Sequence, residues 1–108
     1  MTREEIAIMV GSIGLPYKMH AFSKPVEPPY ICYDFMNPET EESADNRVWS
    51  RNEPVQIELY TKKRDFALEK QITDTLDEHG IDWELDHTWL DSESMHETIL
   101  EFDNYMEE

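Results

Sequence analysis

The residues of this chain whose types could do chemistry are four histidines (His20, His79, His87 and His96), a single thiol (Cys32) and a large set of carboxylates. A zinc site of the helical kind needs two histidines four residues apart on one face, and none of the four meets that spacing or has a cysteine cluster beside it. His87 and His96 could face each other across a final hairpin, with Asp86 and Glu97 alongside, but histidines on the surface of an acidic protein are the commoner outcome. General acid–base catalysis needs carboxylates with separated pKa values in one pocket. The grouped acids Asp74, Asp77 and Glu78 instead fall on the polar side of a predicted helix, where solvation accounts for them. Cys32 sits beside Tyr33 in an apolar run with no nucleophile motif, and reads as a small apolar strand residue. Neither a phosphate-cradling glycine loop nor a Gly-x-Ser-x-Gly elbow is present. The expectation is no catalytic, cofactor-binding or metal-ligating residue, and no enzyme.

A length of 108 residues predicts one domain over 1–108 with a single modest core. The net charge of −16 is unevenly placed: residues 71–108 hold 13 acids and no Lys or Arg. Such a field repels nucleic acid and anionic membrane, so sequence-specific nucleic-acid binding and membrane association are not expected. The plain account of the acids is a solvated surface; the functional one is a passage lining or a face for a basic partner. One cysteine cannot form an internal disulfide. No apolar run reaches the ~20 residues of a membrane helix, and no leader pattern opens the chain, so a soluble, cytoplasmic protein is expected.

The elements follow from local patterns. Thr2 with Glu5 three residues on forms a capping box, and Ile6, Met9, Val10 and Ile13 follow at helical spacing, which predicts a helix over 3–13 ended by Gly14 and Pro16. A short strand around Lys18–Phe22 is possible in an otherwise irregular 17–28. Tyr30 to Met36 is aromatic and β-branched and predicts a strand. Residues 37–47 are acidic and poor in packing groups, which predicts a mobile loop. A strand over 46–51 follows, then a tight connection at Asn52-Glu53-Pro54. Val55, Ile57 and Leu59 alternate with Gln56, Glu58 and Tyr60, the period of a half-buried strand. Leu68, Ile72 and Leu76 mark a helix over 65–79, with Asp65 at its cap, Phe66 and Ala67 near its start, and Gly80 placed for a left-handed C-terminal turn. The alternation of 81–86 carried on through Trp89, a turn at 91–94, and a strand from Met95 to Tyr105 complete the chain. The order predicts an α+β fold: an antiparallel sheet with two helices packed on one face.

Certain passages also carry a likeness. They are Ala44-Asp45-Asn46 leading through Arg47-Val48-Trp49, then Gln56-Ile57-Glu58-Leu59-Tyr60-Thr61 into Lys62-Lys63-Arg64-Asp65, with Pro29-Tyr30-Ile31-Cys32-Tyr33 before and Glu93-Ser94-Met95 to Phe102 after. In order and spacing, over most of 29–102, the chain resembles the tail-terminator or tail-completion (minor tail) proteins of long-tailed bacteriophages and prophages of Gram-positive bacteria. The resemblance implies a structural part of the virion tail, made in the host cytoplasm, that caps the tail tube as a ring of usually six copies. Its implied partners are the major tail tube protein and the head–tail connector, whether or not the free protein is a monomer. Loop residues Glu39, Glu41, Glu42, Asp45 and Arg47 are candidates for a subunit or tube contact. Lys62, Lys63 and Arg64 are candidates to meet the acidic half of a neighbouring copy, with an ordinary solvated turn as the plain alternative. An acidic bore lining would let DNA slide past. The rival readings are a DNA-mimic inhibitor of a DNA-binding enzyme, a head–tail connector component, and an accessory domain with one protein partner.

Overall fold

The computed structural model describes residues 1–36, 39–42 and 48–107. Its elements are α1 (Arg3–Gly11), β1 (Tyr17–Met19), β2 (Tyr30–Phe35), β3 (Glu39–Glu42), β4 (Val48–Asn52), β5 (Val55–Thr61), α2 (Phe66–Glu78), β6 (Glu84–Leu90), β7 (Met95–Phe102) and β8 (Tyr105–Glu107). Five strands form the main sheet in the order β1-β2-β5-β7-β6, and β3-β4-β8 form a second, three-stranded sheet. The architecture is the α+β class expected, with a mostly antiparallel main sheet.

Both helices start where their caps dictate. Thr2 accepts from the Glu5 amide at 3.1 Å and Glu5 accepts from the Thr2 amide at 2.9 Å, so two otherwise unpaired donors are satisfied at the start of α1. Asp65 caps α2 by accepting from the Leu68 amide at 3.1 Å, and Gly80 leaves it at φ +69°. Ile6, Met9, Val10 and Ile13 from the first helical segment and Ile72 and Leu76 from α2 share one core with Ile31, Tyr33, Val55, Ile57, Leu59, Leu100 and Phe102. Both helices therefore cover the same face of the sheet, and Gln71 fastens α2 to the end of α1 by donating to the Ile13 carbonyl at 2.8 Å.

Several elements differ from expectation, each for a nonlocal reason. β1 pairs with β2 in parallel, not antiparallel, because the ten-residue connection between them returns the chain to the same end. That connection turns at His20, φ +68°, and includes the cis Pro28–Pro29 bond. The acidic loop expected over 37–47 contains a strand: β3 pairs antiparallel with β4, Glu39 opposite Asn52 and Glu41 opposite Ser50. Residues 37, 38 and 43–47 lie outside the described residues. The single last strand expected from Met95 to Tyr105 breaks at Asp103-Asn104, where Asn104 is buried and bonded to Met1 and Asn52, and β8 then crosses to β4. Phe66 does not join the core; it is 68% exposed under the Arg64 guanidinium, 4.6 Å from its ring centre. Glu53, 1% exposed in the turn between β4 and β5, takes a two-pronged pair from Arg3 at 2.6 and 2.8 Å, which ties α1 to that turn.

Candidate interaction surface

With Val55, Ile57 and Leu59 turned to the helices, register fixes what the other face of the sheet presents. Opposite Gln56, Glu58 and Tyr60 stand Asp34, Cys32 and Tyr30 on β2 and Glu101, Ile99 and Glu97 on β7. Beyond them on β6 come Glu84, Asp86 and Thr88. Six carboxylates thus share one sheet face, and Lys18 of β1 is the cation in register with it. The alternation of acid and apolar residues in the sequence is therefore an inside–outside alternation, and the acids point away from the core.

The tightest cluster on this face is a phenol held by two carboxylates. Tyr60 Oη contacts Glu97 Oε2 at 2.7 Å and also Glu58 Oε2. A phenol has one proton to donate, so it can donate to only one of these two carboxylates at a time. Burial pushes the Glu58 carboxyl up from its ordinary range, and the Glu97 and Asp34 charges add to that. Burial and both carboxylates push the Tyr60 phenol well above its usual range. Tyr30 stacks on Tyr60 at 4.9 Å between ring centres, and Phe22 meets Tyr30 edge-on at 5.4 Å, so the irregular segment 20–26 shields this end of the face. The same burial raises the Cys32 thiol, which makes it a poorer nucleophile.

These shifts have a measurable consequence. A carboxyl whose folded pKa is raised contributes stability below its unfolded value of about 4.3 and loses that contribution as pH rises through the folded value. At neutral pH the ionised Glu58 therefore opposes folding. Glu58→Gln should raise stability at pH 7 by a few tenths to about 1 kcal/mol, the scale of one unfavourable cross-strand charge pair. The gain should vanish below about pH 4, where the native carboxyl is itself protonated. Urea unfolding at the two pH values checks this, and a gain equal at both would refute the charge explanation.

At the end of the main sheet away from the β4–β5 turn, His87 Nε2 and His96 Nδ1 lie 2.9 Å apart, so one ring donates to the other. The rings stack with centres 5.0 Å apart, and Trp89 lies against His96 at 4.8 Å. The cross-hairpin meeting of His87 and His96 expected from sequence occurs, although Asp86 and Glu97 turn to the opposite face. Burial holds the His87 ring below its ordinary pKa, and the nearby Arg64 charge adds to the effect. Among the described residues no three His, Cys, Asp or Glu side chains converge as metal ligands. No described helix is long and apolar enough to cross a membrane.

The interface candidates divide between the two ends of β5. Glu39, Glu41 and Glu42 belong to β3 in the second sheet, next to the β4–β5 turn. Asp45 and Arg47 lie outside the described residues. Lys62, Lys63 and Arg64 stand at the opposite end, where β5 enters α2. Arg64 is engaged within the chain, with Nε and Nη2 at 3.1 and 3.2 Å from the buried Glu69 carboxylate. Lys62 makes an exposed pair with Glu27 at 3.2 Å. Lys63 makes no ion pair among the described residues. The outward positions of the β5 alternation are the sequence signal for Tyr60 and Glu58, whereas Glu97, expected beside the two histidines, meets Tyr60 instead.

This fold occurs in a virion. Over 94% of its length the chain superposes on 86% of a chain from a structure described as the virion of a native gene transfer agent particle, with a TM-score of 0.60 and 13% identity. At that identity the likeness is one of fold. No protein-family model matches the chain, and no curated protein matches it.

Proposed function

We propose that this chain is a non-enzymatic structural protein of a phage-like particle, a subunit of the ring that caps the tail tube and helps join tail to head. The observation that carries the reading is the fold, shared across nearly the whole chain with a virion component. The tail position comes from the resemblance of residues 29–102 to tail-terminator proteins. The partners are then the major tail tube protein and the head–tail connector, with contacts drawn from Glu39, Glu41, Glu42, Asp45 and Arg47 on one side and the Lys62–Arg64 turn on the other.

The carboxylate-bearing sheet face suits a surface past which DNA must move, because fixed negative charge denies phosphates a binding site. The same face also favours the rival reading, a DNA-mimic inhibitor that offers carboxylates to a basic DNA-binding enzyme. Electron microscopy of particles made with and without this protein separates the two. Overlong or headless tails are expected in its absence. Normal particles would overturn the assembly reading and favour the mimic.

A further inference from the structure

The two ends of the central strands carry opposite chemistry, and one chain cannot bring them together. Past the end of β5 stand Lys62, Lys63 and the exposed Phe66 ring, with Trp89, 46% exposed, on the β6–β7 hairpin at the same end. Because Arg64 is held by Glu69 and Lys62 pairs in solvent with Glu27, Lys63 is the cation left for an outside partner. In a chain of net charge −16 this is a basic, aromatic corner.

At the other end lies a groove of about 430 Å3 between the entry to β6 and the exit from β7. Trp83 and Phe102 supply its apolar wall, and Asp82, Glu84, Glu101 and Asp103 rim it. Glu84 and Glu101 are direct register partners, an arrangement in which like charges repel. Glu101 accepts from Gln56 at 3.3 Å and Asp103 from Asn52 at 2.9 Å, but no cation of the described residues pairs with any of the four. Such a rim over an apolar wall fits a lysine, whose methylene stem packs while its ammonium relieves the repulsion.

Seven residues of β5 separate corner from groove, about 24 Å at the rise of an extended strand. We propose that the corner of one copy docks into the Trp83 groove of the next, Lys63 meeting Glu84 and Glu101. The inference deepens the ring reading, on which it rests, by naming both surfaces of the subunit contact. Such a contact is heterologous: each docked pair still shows one free corner and one free groove, so addition continues until a ring closes or a filament grows. Being made of exposed charges, it weakens as salt rises.

Two end-blocked variants test it, K62A/K63A and E84Q/E101Q, both at exposed positions and checked for fold by circular dichroism. Sedimentation velocity at low ionic strength and up to millimolar protein should show wild type assembling beyond dimers in a salt-sensitive way. Each variant alone should be monomeric. An equimolar mixture should stop at dimers, because one variant keeps only its groove and the other only its corner. Wild type that stays monomeric, or variants that assemble as wild type does, would overturn the contact. The ring reading has its own readout: rings formed equally by the variants would sink this contact alone, whereas normal tails without the protein would sink the reading.

Discussion

Replacing Ile57 by Ala is expected to cost about 2–5 kcal/mol of folding stability, the range for truncating a large aliphatic side chain in a closed core. Ile57 is 0% exposed at the middle of the central strand, with Tyr33 beside it on β2 and Leu100 beside it on β7. Side chains from both helices, Ile6 and Val10 among them from α1 and Ile72 and Leu76 from α2, pack over the same cluster. The lost methyl groups would leave a void that neighbours pinned in a sheet ladder cannot collapse to fill. For a domain of this length each kcal/mol lowers the melting temperature by roughly 4–8 °C, so a fall of at least about 8 °C is expected. Thermal unfolding followed by far-UV circular dichroism measures it. Ile8→Ala on the outer side of α1, where Ile8 is 73% exposed, is the control and should stay within about 0.5 kcal/mol of wild type. Equal shifts for the two variants would contradict the placement of the core.

Asn52→Ala is expected to destabilise by about 1–3 kcal/mol, the penalty for leaving a buried donor without its acceptor. Asn52 Oδ1 accepts from the buried Asn104 amide at 3.0 Å, and its Nδ2 donates to Asp103 at 2.9 Å. Asn104 in turn donates through Nδ2 to the Met1 carbonyl at 2.9 Å, accepts from the Met1 ammonium at 2.8 Å, and receives the Glu53 amide on its own carbonyl at 2.9 Å. One asparagine side chain thus holds the junction at which the chain leaves the main sheet for the second. Methyl in place of the amide strands the Asn104 donor and loosens the step from β7 to β8. The urea midpoint should fall, and hydrogen exchange should show the Asn104 amide losing protection before the β5 and β7 amides do. Asn52→Asp keeps the acceptor for the Asn104 amide but loses the donor to Asp103, so it should also destabilise while leaving the Asn104 amide better protected than the alanine variant does. Unchanged exchange at Asn104 in the alanine variant would refute the role given to Asn52.

How far the chain could be read without its structure depends on the range of the interaction concerned. The Thr2–Glu5 box, the cap at Asp65, the turn at Gly80, and the alternation of Val55, Ile57 and Leu59 are decided within a few residues. They were legible because helix and strand periods and capping hydrogen bonds are local. The α+β class followed, since strands joined by short turns and two amphipathic helices have few ways to bury their apolar faces together. The acidity of the last third was likewise plain. Its direction was not. That Glu58, Glu97 and Glu101 share one face, that Tyr60 bridges two of them, and that Glu84 opposes Glu101 over a groove are facts of register. Register between strands far apart in sequence is fixed when the whole core closes. The parallel pairing of β1, the departure of β8 to a second sheet, and the capture of Arg64 by Glu69 belong to the same class. The sequence by itself determined both helices, the central strand, the fold class and the charge. Tertiary structure decided which charges face one another, because hydrogen bonds and packing between distant segments set what each side chain meets.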